Sequence, residues 1–405
     1  MITPSFSLTA TERVLPRLAL DFTTASLDPR VTFTRSGNTA TVVNSSGFIT
    51  AINANLPRFD FNPVTLACNG LLIEESRTNS ILYSNDLSQV SAWTISTATL
   101  TPNAVVSPDG TQNAATISAA AQNPLAAQFY TIPADAATYC ISMYVKYVSG
   151  SKNFRLRCAL TNGTAVATNI AFNAETGAFV SSSAGAVYTI TNAGNGWFRV
   201  TLLATNNSTN TRLNFQIYSG NDATVTNSMA VYGCQSEVGA FATSYIPTTT
   251  IALTRNRDNV VMTGTNFSDW FSSAAGTFMV GWTQGGYATT SASFILECVG
   301  GLRSPQQTFG IRFYGQNGSN VALAGAPTVG ATYKVGIGYT NGAGERVAIN
   351  GGAVSTNGTN YTTAPTSLTL GFSTISNNFA MNGWVRQLNW YQQQLTNAEI
   401  SAISK

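Results

Sequence analysis

The sequence predicts an all-β chain: two antiparallel β-sandwiches of the jelly-roll type behind an extended N-terminal segment, with one short helix at the C-terminus. Three observations carry that expectation. Stretches such as Tyr139–Tyr147 place Tyr139, Ile141, Met143, Val145 and Tyr147 on one face, and period-two alternation means one face buried and one wet. Glycine and asparagine punctuate the gaps, as at Asn162-Gly163, Thr176-Gly177 and Gly194-Asn195-Gly196. Only 9% of residues are charged while 44% are hydrophobic, against about 25% charged in an ordinary soluble protein. The surface must then be covered by Ser, Thr, Asn and Gln, a mixture that suits short strands and turns.

Taken in order, residues 1–90 hold the most charge, including Arg35, Arg58, Asp60, Glu74, Glu75 and Arg77, and prolines at 4, 16, 29, 57 and 63 interrupt short strand-like runs. So fragmented a segment is expected to pack against another domain or subunit. Residues 91–247 carry the cleanest alternation, also in Phe154–Leu160 and Leu213–Tyr218, and are expected to form the first sandwich. Residues 248–258 look like a linker or connecting strand. Residues 259–405 supply the second sandwich, with strands expected around Phe278, Ile295, Phe309, Val335 and Val347 and a hairpin turn at Asn350-Gly351. Thr396 followed by Glu399 is a capping box and predicts a terminal helix of about two turns. The chain has 405 residues, which at roughly 100–200 per domain fits two or three domains.

Composition narrows the function classes. The net charge is +3 and no Lys/Arg run exists, so nucleic acid is not an expected partner. No stretch approaches the roughly 20 apolar residues of a membrane span, and the N-terminus lacks the features of a secretory signal, so membrane insertion is not expected. The five cysteines, Cys68, Cys140, Cys158, Cys234 and Cys298, are widely spaced and expected to be reduced and mostly buried, with a Cys140–Cys158 bridge as the alternative. Histidine is absent. That excludes Ser-His-Asp and Cys-His catalysis, His-ligated zinc and imidazole pH switches.

Two stretches resemble a family of bacteriophage minor structural and tail proteins. One runs from Leu20 to Arg35, continues through Pro57–Pro63 and ends in Gly70–Asn79 and Leu82–Leu87. The other is Gln235–Pro247, continued by Thr254–Asp258. In that family such stretches flank a carbohydrate-binding-module-like sandwich. The end of the chain, Asn382–Tyr391 with Leu395–Ile400, is similar to the close of concanavalin A-like (laminin-G-like) domains. The resemblance implies a virion surface protein of the tail fibre or spike type, made in the cytoplasm of a bacterial host, with portal, tail or capsid proteins as partners. It implies residues 1–90 docking to the particle and residues 259–405 pointing outward toward a host surface glycan. A homotrimer is the expected assembly, because fibres and spikes commonly use one. A head fibre, collar or capsid decoration without a ligand is the alternative, and a polysaccharide depolymerase the weaker one. The family brings no catalytic residues.

The residues themselves single out no catalytic, metal or ligand site, and no cofactor is expected. Glu74-Glu75 is the conspicuous carboxylate pair, but glycoside hydrolysis needs two carboxyls facing one bond, and neighbours on a strand point apart. Ion pairing with Arg77 or another N-terminal arginine is expected instead. Asp86, Glu175, Glu237, Asp269 and Glu297 are scattered. Of the six tryptophans, Trp197, Trp282, Trp384 and Trp390 fall in strands and are expected in cores, whereas Trp93 and Trp270 stay open as sugar platforms or core residues. Loop aromatics such as Tyr287 and Tyr361 are the better sugar candidates. The glycines around Trp282 and at Gly336 and Gly338 lead into no helix, so they read as strand and turn glycines and not as a phosphate loop. No DxDxD-type calcium cluster is present.

Overall fold

A computed structural model describes residues 14–220, 227–286, 294–299, 303–306, 312–314, 320–322, 327–357, 364–374 and 380–405. They form antiparallel sheets with little helix, as the alternation predicts: a four-residue helix at Thr265–Ser268, a single 3-10 turn at Phe22–Thr24 and the terminal helix Asn397–Ile403. The last is capped as expected, with Thr396 and Glu399 each bonding the other's backbone N–H.

The middle sandwich packs two six-stranded sheets. The inner sheet has Thr138–Gly150 and Asn227–Val238 at its centre, flanked by Trp197–Thr205 and Ala114–Ala119. The outer sheet is centred on Asn153–Thr161 and Arg212–Tyr218. Ile141, Met143 and Val145 from the inner sheet meet Phe154, Leu156, Phe215 and Ile217 from the outer one in a single apolar core. Cys158 lies in that core, whereas Cys140 points to the other face of its strand, and all five cysteines are free.

The second sandwich departs from the expected division. Leu18–Asp21 and Cys68–Ile73 both pair with Gly383–Tyr391, and Phe59–Phe61 extends that sheet. Thr32–Thr34 pairs with Asn259–Thr263 at the edge of the facing sheet. Leu18, Leu20, Phe22, Phe33, Leu71 and Ile73 are buried in one core with Trp282, Val335, Leu388 and Trp390. The described part of residues 1–90 is therefore not a separate extended segment. These strands, up to Ile73, supply pairing and core to the C-terminal sandwich, while Ile81 and Leu87 are buried in the core of the middle one. Residues 248–258 are likewise no free linker. Leu253–Arg255 pairs with Arg77–Asn79, and Arg255 and Asp258 are fully buried. The middle sandwich is thus an insertion within a unit built from both chain ends. No helix among the described residues is long and apolar enough to cross a membrane.

Candidate functional site

Two structures meet at the junction of the sandwiches: a buried ionic node and, beside it, an open cleft. In the node, Arg58 donates through Nη1 to Glu74 (2.7 Å) and through Nε and Nη2 to Asp258. Arg35 reaches Asp258 at 3.3 Å and Arg255 reaches Glu74 at 3.3 Å. The node also binds the strand returning from the middle sandwich, because Ser244 donates from its backbone N–H and its hydroxyl to Glu74, each at 2.7 Å. Burial alone would raise the Glu74 pKa, but Arg255, Arg58 and Ser244 outweigh it and hold the carboxyl at about 2. Burial would lower the Arg58 pKa; Asp258 and Glu74 outweigh it and raise it instead. Glu75 turns away to Arg77 and to Asn382. The adjacent pair is therefore split between different partners, as strand geometry predicts.

The cleft has a volume of about 580 Å³, within the roughly 300–1,000 Å³ of small-molecule sites. The middle sandwich contributes Tyr188, Asn192 and Arg199 to its walls; Asp60 and Asn69 come from the N-terminal strands and Trp384 from the C-terminal sandwich. Two β-bulges aim the key pair. The pairing of Phe59–Phe61 with Cys68–Ile73 slips between Asp60 and Phe61. The pairing of Ala275–Gln284 with Gly383–Tyr391 slips between Gly281 and Trp282, leaving Arg386 as the extra residue. An extra residue reverses which face the following side chains take. Trp390, Leu388 and Val385 are buried, while Trp384 turns outward, half-buried on the cleft wall. Gly70, opposite Asp60, is required here: its φ is +119° and a Cβ would lie 2.3 Å from the Val385 carbonyl oxygen.

Trp384 donates its indole N–H to Asp60 at 2.8 Å, and the Val43 backbone N–H donates to the other carboxylate oxygen at 2.8 Å. Burial raises the Asp60 pKa to about 6; these hydrogen bonds and one from Asn69 lower it, and the Glu74 charge adds to the rise. Across the cleft, Arg199 sits 5.4 Å from the Tyr144 ring and donates to the Thr243 carbonyl at 2.7 Å. Its Nε is buried without a hydrogen-bond partner. The arrangement gathers one indole edge, one carboxylate, one guanidinium and several amides on one cleft.

Of the tryptophans expected in cores, one departs. Trp197, Trp282 and Trp390 are core residues, and so are Trp93 and Trp270, whereas Trp384 belongs to the cleft. Tyr287 and Tyr361 lie outside the described residues. Asp86 caps its own turn through Ser88 and Gln89, Glu175 pairs with Lys152, Glu237 accepts from Gln235 and Thr243, and Glu297 accepts from Ser373 and Thr374. The sequence reading passed over Asp60, Arg199 and Trp384 as a group. The local signals for them were that Asp60 stands in the Pro57–Pro63 stretch and Trp384 in the Asn382–Tyr391 stretch.

No protein-family model and no curated protein matches the sequence. Among solved structures, the chain is similar to domain 4 of AbnA, a GH43 extracellular arabinanase from Geobacillus stearothermophilus in complex with arabinotriose (TM-score 0.30, 14% identity, 41% of this chain and 82% of that one). It is also similar to the receptor-binding domain of botulinum neurotoxin C/D mosaic serotype (TM-score 0.29, 15% identity, 36% and 40%). A third is Trypanosoma rangeli sialidase in complex with 2,3-difluorosialic acid (TM-score 0.27, 14% identity, 36% and 26%).

Proposed function

We propose that this chain is a non-catalytic glycan-binding protein of a bacteriophage surface, of the tail fibre or spike type, and that it holds a host surface glycan in the cleft between its sandwiches. The cleft carries the glycan part: Trp384 and Tyr188 line it with Asp60, Arg199 and Asn69, which joins aromatic surface to convergent polar groups. The phage part rests on Leu20–Arg35, Pro57–Pro63, Gly70–Asn79 and Leu82–Leu87, and on Gln235–Pro247 with Thr254–Asp258, which resemble minor structural proteins. Absence of catalysis is supported by Glu74. Its two oxygens accept from Arg58 and both Ser244 donors and pair with Arg255, which commits this carboxylate to the buried node and not to an acid/base partnership with Asp60.

A glycan array probed with the whole chain tests the reading. Binding to one glycan class, lost in Trp384→Ala with the fold retained, is the expected result; no binding anywhere removes the adhesin. Imaging the intact particle tests the placement. Density at the tail tip is expected, and density spread over the capsid lattice favours the decoration reading. New reducing ends after incubation with host polysaccharide would overturn the non-catalytic assignment.

A further inference from the structure

The outward face of the outer sheet carries a second, independent feature. Six strands build that sheet: Phe179–Ser182, Val166–Asn173, Asn153–Thr161, Arg212–Tyr218, Leu125–Thr131 and Thr94–Ser96. None contains an aspartate or a glutamate. Alternation sends Phe154, Leu156, Leu213 and Phe215 into the core and leaves Arg155, Arg157, Arg212, Asn214, Gln216 and Tyr218 outside, partly exposed. The register sets Arg155 opposite Tyr218, Arg157 opposite Gln216 and Arg212 opposite Thr161. Arg155 and Arg212 are therefore six residues apart along the strands, roughly 20 Å at ~3.3 Å per residue.

None of the three arginines forms an ion pair among the described residues. Instead they are fixed by rings and an amide. The Arg155 guanidinium sits 3.9 Å from the Tyr218 ring centroid and that of Arg212 sits 3.5 Å from that of Phe129, a ring 54% exposed. Arg157 donates to the Gln216 amide oxygen. The Nε atoms of Arg155 and Arg212 are buried and have no hydrogen-bond partner. A guanidinium held over a ring keeps its charge and its fork of in-plane donors, which matches a carboxylate.

We propose that this face binds an extended carboxylated polysaccharide, with Arg155, Arg157 and Arg212 taking successive carboxylates along it. The length of the positive face suits a polymer and not a single small anion. The absence of any carboxylate on the sheet gives the charge complementarity. Single-stranded nucleic acid fits less well, because its bases stack on open aromatic faces, and here Tyr218 and Phe129 each already carry a guanidinium.

Calorimetric titration of the intact chain at low salt tests this, with polygalacturonate, alginate and hyaluronate as probes. Methyl-esterified polygalacturonate and single-stranded poly-dT serve as comparators. The expected result is binding of at least one carboxylated polymer that weakens with salt, with neither comparator bound as tightly. In the triple variant Arg155→Lys, Arg157→Lys, Arg212→Lys the charge stays but the forks go, and affinity falls at least about tenfold. The corresponding triple Gln variant binds nothing, while both variants keep the wild-type circular dichroism. Trp384→Ala, which opens the other site, leaves this binding unchanged. Failure of all three polymers overturns the proposal. So does equal binding of the methyl ester, tighter binding of poly-dT, undiminished affinity in the Lys variant, or loss of polymer binding in Trp384→Ala.

Discussion

At the junction, Arg35, Arg58 and Arg255 are fully buried around Glu74 and Asp258; on the outer sheet, Arg155, Arg157 and Arg212 stand half in water with no carboxylate on their strands. The same side chain is under opposite constraints. A buried charge without a partner is costly, so the junction must assemble arginines and carboxylates together or not at all. A partly exposed guanidinium remains hydrated, so the outer sheet can leave its arginines free for something else. An unpaired charge therefore means different things in the two places: strain where it is buried, availability where it is wet.

The largest effect that breaks this contrast is expected from Arg58→Met. It removes the guanidinium that bonds both Glu74 and Asp258, leaving them only Arg255, Arg35 and Ser244, and should cost about 3–5 kcal/mol in urea unfolding. Glu345 is an internal control. It is buried, both its carboxylate oxygens lack hydrogen-bond partners, and burial raises its pKa to about 7. Its unfolded value is near 4.5, so stability is highest below that pH and is lost as pH rises through the folded pKa, by about 3 kcal/mol. Glu345→Gln should stabilise the fold by up to that amount at pH 8 and change little at pH 4, as thermal melts at the two pH values would show. Asp60, raised to about 6 by burial, should weaken the fold in the same sense between roughly pH 4 and 6; Asp60→Asn should flatten that segment of a stability–pH curve. Glu74, held at about 2, acts oppositely: its contribution is present above its unfolded value near 4.5 and is lost as pH falls toward 2. The smallest effect is expected on the outer sheet, where each single Arg→Gln substitution should change stability by less than about 1 kcal/mol.

The strands and the terminal cap were legible because they are written locally. Alternation around Met143 and Phe154 marks which side chains go inside, and Thr396 with Glu399 marks a helix start. The turn at Asn350-Gly351 was legible too: both residues have positive φ, and the chain turns back into Ser355–Asn357, which pairs with Gly344–Ile349. What escaped was pairing over long sequence distance. Nothing near Leu18 or Leu71 announces that their partners lie in Gly383–Tyr391, so the N-terminal block of sequence does not coincide with a spatial unit. The cleft escaped for a related reason. Trp384 and Trp390 are six residues apart and should share a face, but the bulge at Arg386 separates them, and a one-residue slip leaves no mark in composition. The node was half legible: Arg58, Glu74, Arg255 and Asp258 all lie in charged parts of the chain, although nothing local showed that these parts converge.

The middle sandwich leaves and rejoins its base through two chain crossings lashed side by side. Arg77–Asn79 pairs with Leu253–Arg255, Asn79 bonds the carbonyls of Cys234 and Ile246, and Ser84 bonds Thr248. A body hung from one tether swivels; one hung from two adjacent tethers keeps its bearing. Any pull on its outer sheet would divide between both crossings and reach the base at Glu74 and Ser244, so the tension must break several bonds together and cannot peel them one at a time.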